Sequence, residues 1–206
     1  MSVDRALTIA AKVVAMPAEH SYVPSMTPPL LTAEELLNTN VPNKRTELVR
    51  GRLIVHEPPG GLHGYIAANL AFRLKQHVDL TGAGAVFVGD VGFTLHRDPD
   101  TVRGPDVAFV RQDRLPPGPI PSTYLEFAPD LVVEVLSPND RPGEVLAKVG
   151  DWLDAGALLV WAIDPERRVA RVYRADGTEQ ILKETDQLSG EDVLPGFSCA
   201  LASLLG

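Results

Sequence analysis

At 206 residues the chain has room for one domain with a sizeable core. Its 45% hydrophobic and 22% charged residues fit a folded globular protein and exclude a disordered one. The net charge of -8 opposes diffuse attraction to polyanions, although a site built from acidic metal ligands would itself supply such charge.

Residues 1–30 carry Pro17, Pro24, Pro28 and Pro29 without a sustained apolar period and read as an N-terminal arm; the domain is expected to span 31–206. Arg5 followed by Ala6 to Met16 has a superficial likeness to a secretory leader, but Lys12 interrupts it. No run reaches the roughly 18 apolar residues of a membrane span, so no membrane partner is expected. The lone Cys199 offers neither an internal disulfide nor a zinc-binding pair, and the cytoplasm is the simplest compartment.

Thr32-Ala-Glu-Glu35 is a capping box and predicts a short helix that ends before Pro42. Thr46 to His56 alternates enough to predict a hairpin turning at Arg50-Gly51. After Pro58-Pro-Gly-Gly61, the residues Ile66, Leu70, Leu74 and Val78 recur at the spacing of one helix face and predict a helix over about residues 63–79. Strands follow at Ala85 to Val88, Gly92 to Leu95 and Pro105 to Arg111. Five prolines then make Leu115 to Pro129 a surface loop.

Leu131-Val-Val-Glu-Val-Leu136 reads as a central strand buried on both faces. Val145, Leu146, Val149, Trp152 and Leu153 form a helical stripe ended by Gly156. Ala157 to Ile163 is a further strand, and Arg168 to Arg174 with Glu179 to Leu182 flank an Asp176-Gly177 hairpin turn. Cys199 to Leu204 is expected to close the domain as a short helix. The order predicts an α/β architecture, a mixed central β-sheet flanked by α-helices, with the Asp106 and Glu134 strands adjacent.

Glu134 stands out because an ionised group in a buried strand costs several kcal/mol unless cations or hydrogen bonds compensate. A structural arginine is the plain alternative to a functional role. Asp106 heads its own strand after Pro105, where a turn or cap is the plain alternative. Together the two suit Mg²⁺, which takes oxygen ligands, one or two protein carboxylates, and leaves positions for water and phosphate. Glu47 is a third acidic candidate, with an exposed turn residue as its alternative.

Pro105-Asp106 followed by the strand bearing Glu134 resembles the PD-(D/E)xK nuclease superfamily, except that Leu136 stands where the signature has lysine. A nearer resemblance is to the Uma family of restriction endonucleases. It rests on Glu47-Leu-Val-Arg-Gly51, Pro105-Asp-Val-Ala-Phe-Val110, Val133-Glu-Val-Leu-Ser-Pro138, Lys148, Ala155-Gly156 and Trp161-Ala-Ile-Asp-Pro165, and covers about residues 31–205. The family usually has Asp at position 144 and Tyr at 152, where this chain has Glu144 and Trp152.

The resemblance implies a restriction-endonuclease-like fold and a metal-dependent endonuclease acting on DNA, with the nuclease lysine migrated to the following helix as Lys148. Its plain alternative is a surface pair with Glu144. Mg²⁺, with Mn²⁺ as a substitute, would be held by Asp106, Glu134, the Val135 carbonyl and Glu47. His63, at a position where the family commonly has histidine, is a candidate for phosphate or ligand contact, with a cap residue as its alternative. Arg103, Ser137 and Arg141 are further substrate candidates; Ser137 and Asp140 equally fit an ordinary turn. Arg73, Lys75 and Arg97 are added for the nucleic-acid backbone. A homodimer would suit cutting two strands. Two other readings stay open: a non-catalytic nucleic-acid- or protein-binding module on a nuclease fold, and a metal-dependent hydrolase of another phosphorylated substrate.

Overall fold

The computed structural model describes residues 29–206, so most of the expected N-terminal arm, and the leader-like stretch within it, lie outside the described residues. Helix α1 (Ala33–Leu37) starts at the predicted capping box, in which the Thr32 hydroxyl accepts from Glu35 N–H while the Glu35 carboxylate accepts from Thr32 N–H. Strands β1 (Arg45–Val49) and β2 (Arg52–His56) pair antiparallel across Arg50-Gly51. Both turn residues have positive φ, 49° and 75°, which glycine adopts freely and which this tight connection requires. Helix α2 (Gly61–Thr81) follows, then β3 (Gly84–Val88), β4 (Phe93–His96), β5 (Thr101–Arg103) and β6 (Val107–Arg111). The segment after β6 holds no strand or α-helix until β7, yet Leu125 and Ala128 within it are buried, so this loop covers part of the core.

Strand β7 (Leu131–Val135), helix α3 (Pro142–Asp154), and strands β8 (Leu159–Asp164), β9 (Val169–Arg174) and β10 (Glu179–Lys183) complete the main body. The main sheet is mixed, with order β10-β9-β8-β7-β6-β3; β7 and β8 are parallel, as their crossover through α3 requires, and the other pairs are antiparallel. Side-chain alternation divides its core. Val107, Phe109, Leu131, Val133, Leu159, Trp161 and Ile163 meet Ile66, Leu70, Leu74 and Val78 of α2. Ala108, Val110, Val132, Val160 and Ala162 face Val149 and Trp152 of α3 on the other side. Fully burying each α2 Leu or Ile contributes about 1.5–3 kcal/mol, so this packing fixes α2 on the sheet.

Two features differ from the sequence expectations. The expected helix from Cys199 is instead strand β12 (Ser198–Ala200), paired with β11 (Gln187–Ser189), before the short helix α4 (Ala202–Leu205). Runs of three residues are too short to show an alternation, and only the packing of Leu188 and Cys199 against α2 and the sheet selects them. Leu146, placed in the buried stripe of α3, is 55% exposed; Val149 and Trp152 carry the burial. A second sheet, β2-β1-β5-β4, closes with α1 over Leu48 and Val102. Its meeting with the main sheet positions the site. No helix among the described residues is long and apolar enough to cross a membrane.

Candidate active site at the seam between two sheets

Glu134 occupies the α3 side of β7. Lys148 and Trp152 stand one helical turn apart on α3, so both reach it: Lys148 Nζ donates to Oε2 at 2.9 Å and Trp152 Nε1 to Oε1 at 2.8 Å. The lysine stem packs along the helix while its ammonium also meets Glu47 Oε1 at 3.0 Å and the Gly104 carbonyl at 3.1 Å. The surface pairing with Glu144 is therefore not adopted. Glu47 comes from β1 of the smaller sheet and is tied down from four sides. Oε1 meets Lys148 and accepts from Gly104 N–H at 3.0 Å; Oε2 accepts from Arg103 Nη1 at 2.7 Å and lies 3.2 Å from His56 Nε2.

Asp106 precedes β6. Val107 pairs with Val133, and the Asp106 N–H donates to the same Val133 carbonyl at 3.2 Å, which sets Asp106 at the end of the ladder beside the Glu134 segment of β7. Its Oδ2 accepts from Val135 N–H at 2.7 Å, which clasps the end of β7. Arg45 Nη1 is 2.8 Å from Asp90 Oδ1 and 3.5 Å from Asp106 Oδ1. His63, at the start of α2, is 8% exposed and brings Nε2 to 3.1 Å from Asp106 Oδ2.

Electrostatics follow from this crowding. Burial drives the Glu134 carboxyl upward; Lys148 opposes the shift, Asp106 and Glu47 add to it, and the result is about 7. Burial also acts to raise Glu47, but Lys148, His56, Arg103 and the Gly104 amide outweigh it and hold this carboxyl well below its ordinary range. Burial disfavours the Lys148 ammonium, yet Glu134 and Glu47 beside it hold its pKa well above that of a free lysine.

Other expected site residues are placed elsewhere. Arg103, expected on substrate, is buried and turned inward, its guanidinium shared between Glu47 at 2.7 Å and Asp151 at 2.5 Å. Ser137 N–H donates to Asp140 Oδ2 at 2.7 Å, so the Ser-Pro-Asn-Asp turn closes on itself. Arg141 caps α3 in the open and lies 3.6 Å from Glu144. Arg97 is engaged by Glu34, Asp100 and Glu126, and Lys75 by Asp79, so neither joins the site. Sequence reasoning missed Arg45, His56, Asp90, Asp151 and the donor role of Trp152. None carries a local signature; only the fold brings them together. The one hint was at position 152, where this chain and its resembled family both carry an aromatic side chain with a hydrogen-bond donor.

A divalent cation fits this cluster in donor type and charge. Glu47, Asp90, Asp106, Glu134 and Asp151 meet the three permanent cations Arg45, Arg103 and Lys148, with His56 and His63 beside them, so carboxyl groups outnumber fixed positive charges five to three. Among the described residues no three His, Cys, Asp or Glu side chains stand together as a ready cage.

The family model described as "Putative restriction endonuclease", Uma2, matches residues 33–202. The chain belongs to the Uma2 family. A crystal structure from Anabaena variabilis, described as "a putative nuclease belonging to DUF820", superposes on this Uma2 chain with a TM-score of 0.75 at 20% identity, covering 85% of this chain and 97% of that one. At that identity it establishes the shared fold, a mixed sheet flanked by helices. The comparison with curated proteins finds no match to this Uma2 member.

Proposed function

We propose that this Uma2 protein is a divalent-metal-dependent endonuclease that hydrolyses phosphodiester bonds in DNA, with its active-site lysine moved from the Glu134 strand to α3. The observation that carries this reading is the reach of Lys148 to both Glu134 and Glu47 from a helix, beside a position 136 that holds leucine. Family membership and the fold of the DUF820 protein support a nuclease.

Asp106 and Glu134, with the Val135 carbonyl, would hold the cation, Glu134 giving up part of its contact with Lys148 to do so; Glu47, with four partners on its two oxygens, would reach it through water. When bound, a divalent cation would polarise the phosphoryl oxygen and lower the pKa of the attacking water. The side chains do the rest. Lys148, released from part of its contact with Glu134, places a positive charge where the phosphorane-like transition state gathers negative charge. Trp152 keeps Glu134 oriented, and Arg103 with Glu47 keeps the Lys148 ammonium from swinging to solvent. A homodimer would present two such sites for two strands. Cytoplasmic location is part of the same reading.

The test is cleavage of single-stranded, duplex and branched DNA with Mg²⁺ or Mn²⁺, beside Asp106→Ala and Lys148→Ala. Metal-dependent cutting by the wild type and a loss of about 10²–10³-fold in each variant are expected. DNA binding without cutting would instead establish the non-catalytic module, and cutting retained equally by both variants would expose a contaminant.

A further inference from the structure

The β1–β2 hairpin carries positive charge that the ion pairs of the site do not consume. Between Lys44 and His56 stand Lys44, Arg45, Arg50 and Arg52 against a single acid, Glu47, in a chain whose net charge is -8. Register decides which of these cations share the face of the site. Arg45 pairs with His56, Glu47 with Ile54 and Val49 with Arg52, so alternation sets Arg45, His56 and Arg52 on the face that Glu47 turns to Lys148. Lys44 is paired with Glu57 instead. Arg52 is exposed and carries no ion pair among the described residues. Arg45 is the open cation of the centre: its side chain is 30% exposed, against 9% for Arg103 and 21% for Lys148. Asp90 and Asp106 both meet its Nη1, and Nε has no partner. An arginine presents five N–H donors in a rigid fork, so this one keeps donors for a further anion.

We propose that this face of the β1–β2 hairpin is the track on which the DNA strand lies, with Arg45 on the phosphate to be cut and Arg52 on a phosphate farther along the same strand. This rests on the endonuclease reading above and deepens it by naming the surface that holds the substrate. An acidic chain cannot bind a polyanion through its net charge, so its affinity comes from a local cluster in which each cation that meets a phosphate releases condensed counterions. Arg103 and Lys148 do not supply that cluster, since carboxylates engage both of them inside the seam. Asp90 holds Arg45 at 2.8 Å and so keeps its guanidinium beside Asp106. Four residues of β2 separate His56, which lies opposite Arg45, from Arg52. That is about 13 Å along the strand, the axial length of about four nucleotides, so the two arginines meet different phosphates.

The experiment is titration of a fluorescent DNA duplex of about 20 base pairs with the full chain, in Ca²⁺ and over a series of salt concentrations, beside Mg²⁺-dependent cleavage of the same duplex. Arg45→Gln and Arg52→Gln should each lower the slope of log K against log salt by about one and weaken binding about 5–10-fold near 0.1 M salt; the double variant should lose about two. Arg45→Lys keeps the charge and should keep the slope while cutting more slowly, because an ammonium cannot reproduce the fork. In cleavage, Arg52→Gln should raise KM with kcat within about twofold, whereas Arg45→Gln should lower kcat as well. Lys75→Gln, on the opposite side of the main sheet, is the control and should bind as wild type does. Arg52 is exposed and unpaired, so its variant tests the track even where Arg45→Gln lowers stability. An unchanged slope in Arg52→Gln, or an equal loss in Lys75→Gln, overturns the inference and leaves the endonuclease reading standing wherever the wild type cuts. A wild type that neither binds nor cuts DNA overturns both.

Discussion

Glu134 carries opposing demands. It is buried among carboxylates, so protonation relieves repulsion; it is paired with Lys148, so ionisation completes an ion pair. A carboxyl with a raised folded-state pKa stabilises most fully below its ordinary value of 4.5, and that contribution is lost as pH rises through about 7. Glu47 has the opposite sign: its pKa is depressed, so its contribution is present above 4.5 and is lost as pH falls. The metal-free protein should therefore lose roughly 1–3 kcal/mol through Glu134 between pH 5 and pH 8, seen as a falling urea midpoint. Saturating divalent cation should flatten that fall, because the cation replaces the proton. A midpoint that declines equally with and without cation would separate Glu134 from the ion. Trp152→Phe is the second test at this scale. It retains most of the buried ring but removes the donor on Glu134 Oε1, and should cost about 1–3 kcal/mol of stability. Trp152→Tyr, the residue usual in the family, keeps a hydroxyl and should lose less.

Elements contribute by what they can hold rigid. Lys148, Asp151 and Trp152 lie within two turns of α3, and i, i+3 and i, i+4 spacing lets one helix face address Glu134, Glu47 and Arg103 together. Between β5 and β6 the chain uses backbone instead: Gly104 N–H donates to Glu47 and its carbonyl accepts from Lys148. A Cβ there would come 3.1 Å from the Asp90 carbonyl oxygen, with two further Asp90 backbone atoms at 3.3 Å. Gly104→Ala should thus displace this connection by a few tenths of an ångström, reducing cleavage several-fold or more while the thermal midpoint moves only a few degrees. Thr32→Ala is the contrasting case at the far end of the domain. It removes the α1 cap for about 0.5–2 kcal/mol, and cleavage by the folded protein should not change.

At the scale of the whole molecule, the site exists only while the two sheets stay together. Glu47 and Arg103 belong to the smaller sheet, Glu134 to the larger, and Lys148 and Asp151 to the helix that packs on the larger. Arg103 is the cross-brace. Arg103→Leu would strand Glu47 and Asp151 without their shared cation, and a loss of about 3–5 kcal/mol is expected in denaturant unfolding, with activity falling alongside. Arg103→Lys cannot reproduce the two-sided guanidinium contact and should rescue only part.

The sequence by itself determined the elements whose pattern is long and local: the capping box at Thr32, the Arg50-Gly51 hairpin, the four-residue apolar period of α2, and the apolar run that makes β7 a central strand. It also singled out Glu47, Asp106, Glu134 and Lys148 through a family resemblance, because those residues sit in short recognisable strings. The β11–β12 pair and β5, which joins the Arg50-Gly51 hairpin to β4 in the smaller sheet, were not legible, since strands of three residues carry no periodicity and are chosen by the surfaces they cover. Nor were Arg45, His56 and Asp151, or the inward turn of Arg103. A charged side chain far from its partner in sequence carries no mark of whether it faces solvent or another charge; only packing α3 and the smaller sheet against β7 decided that, by excluding water and leaving these groups to satisfy one another.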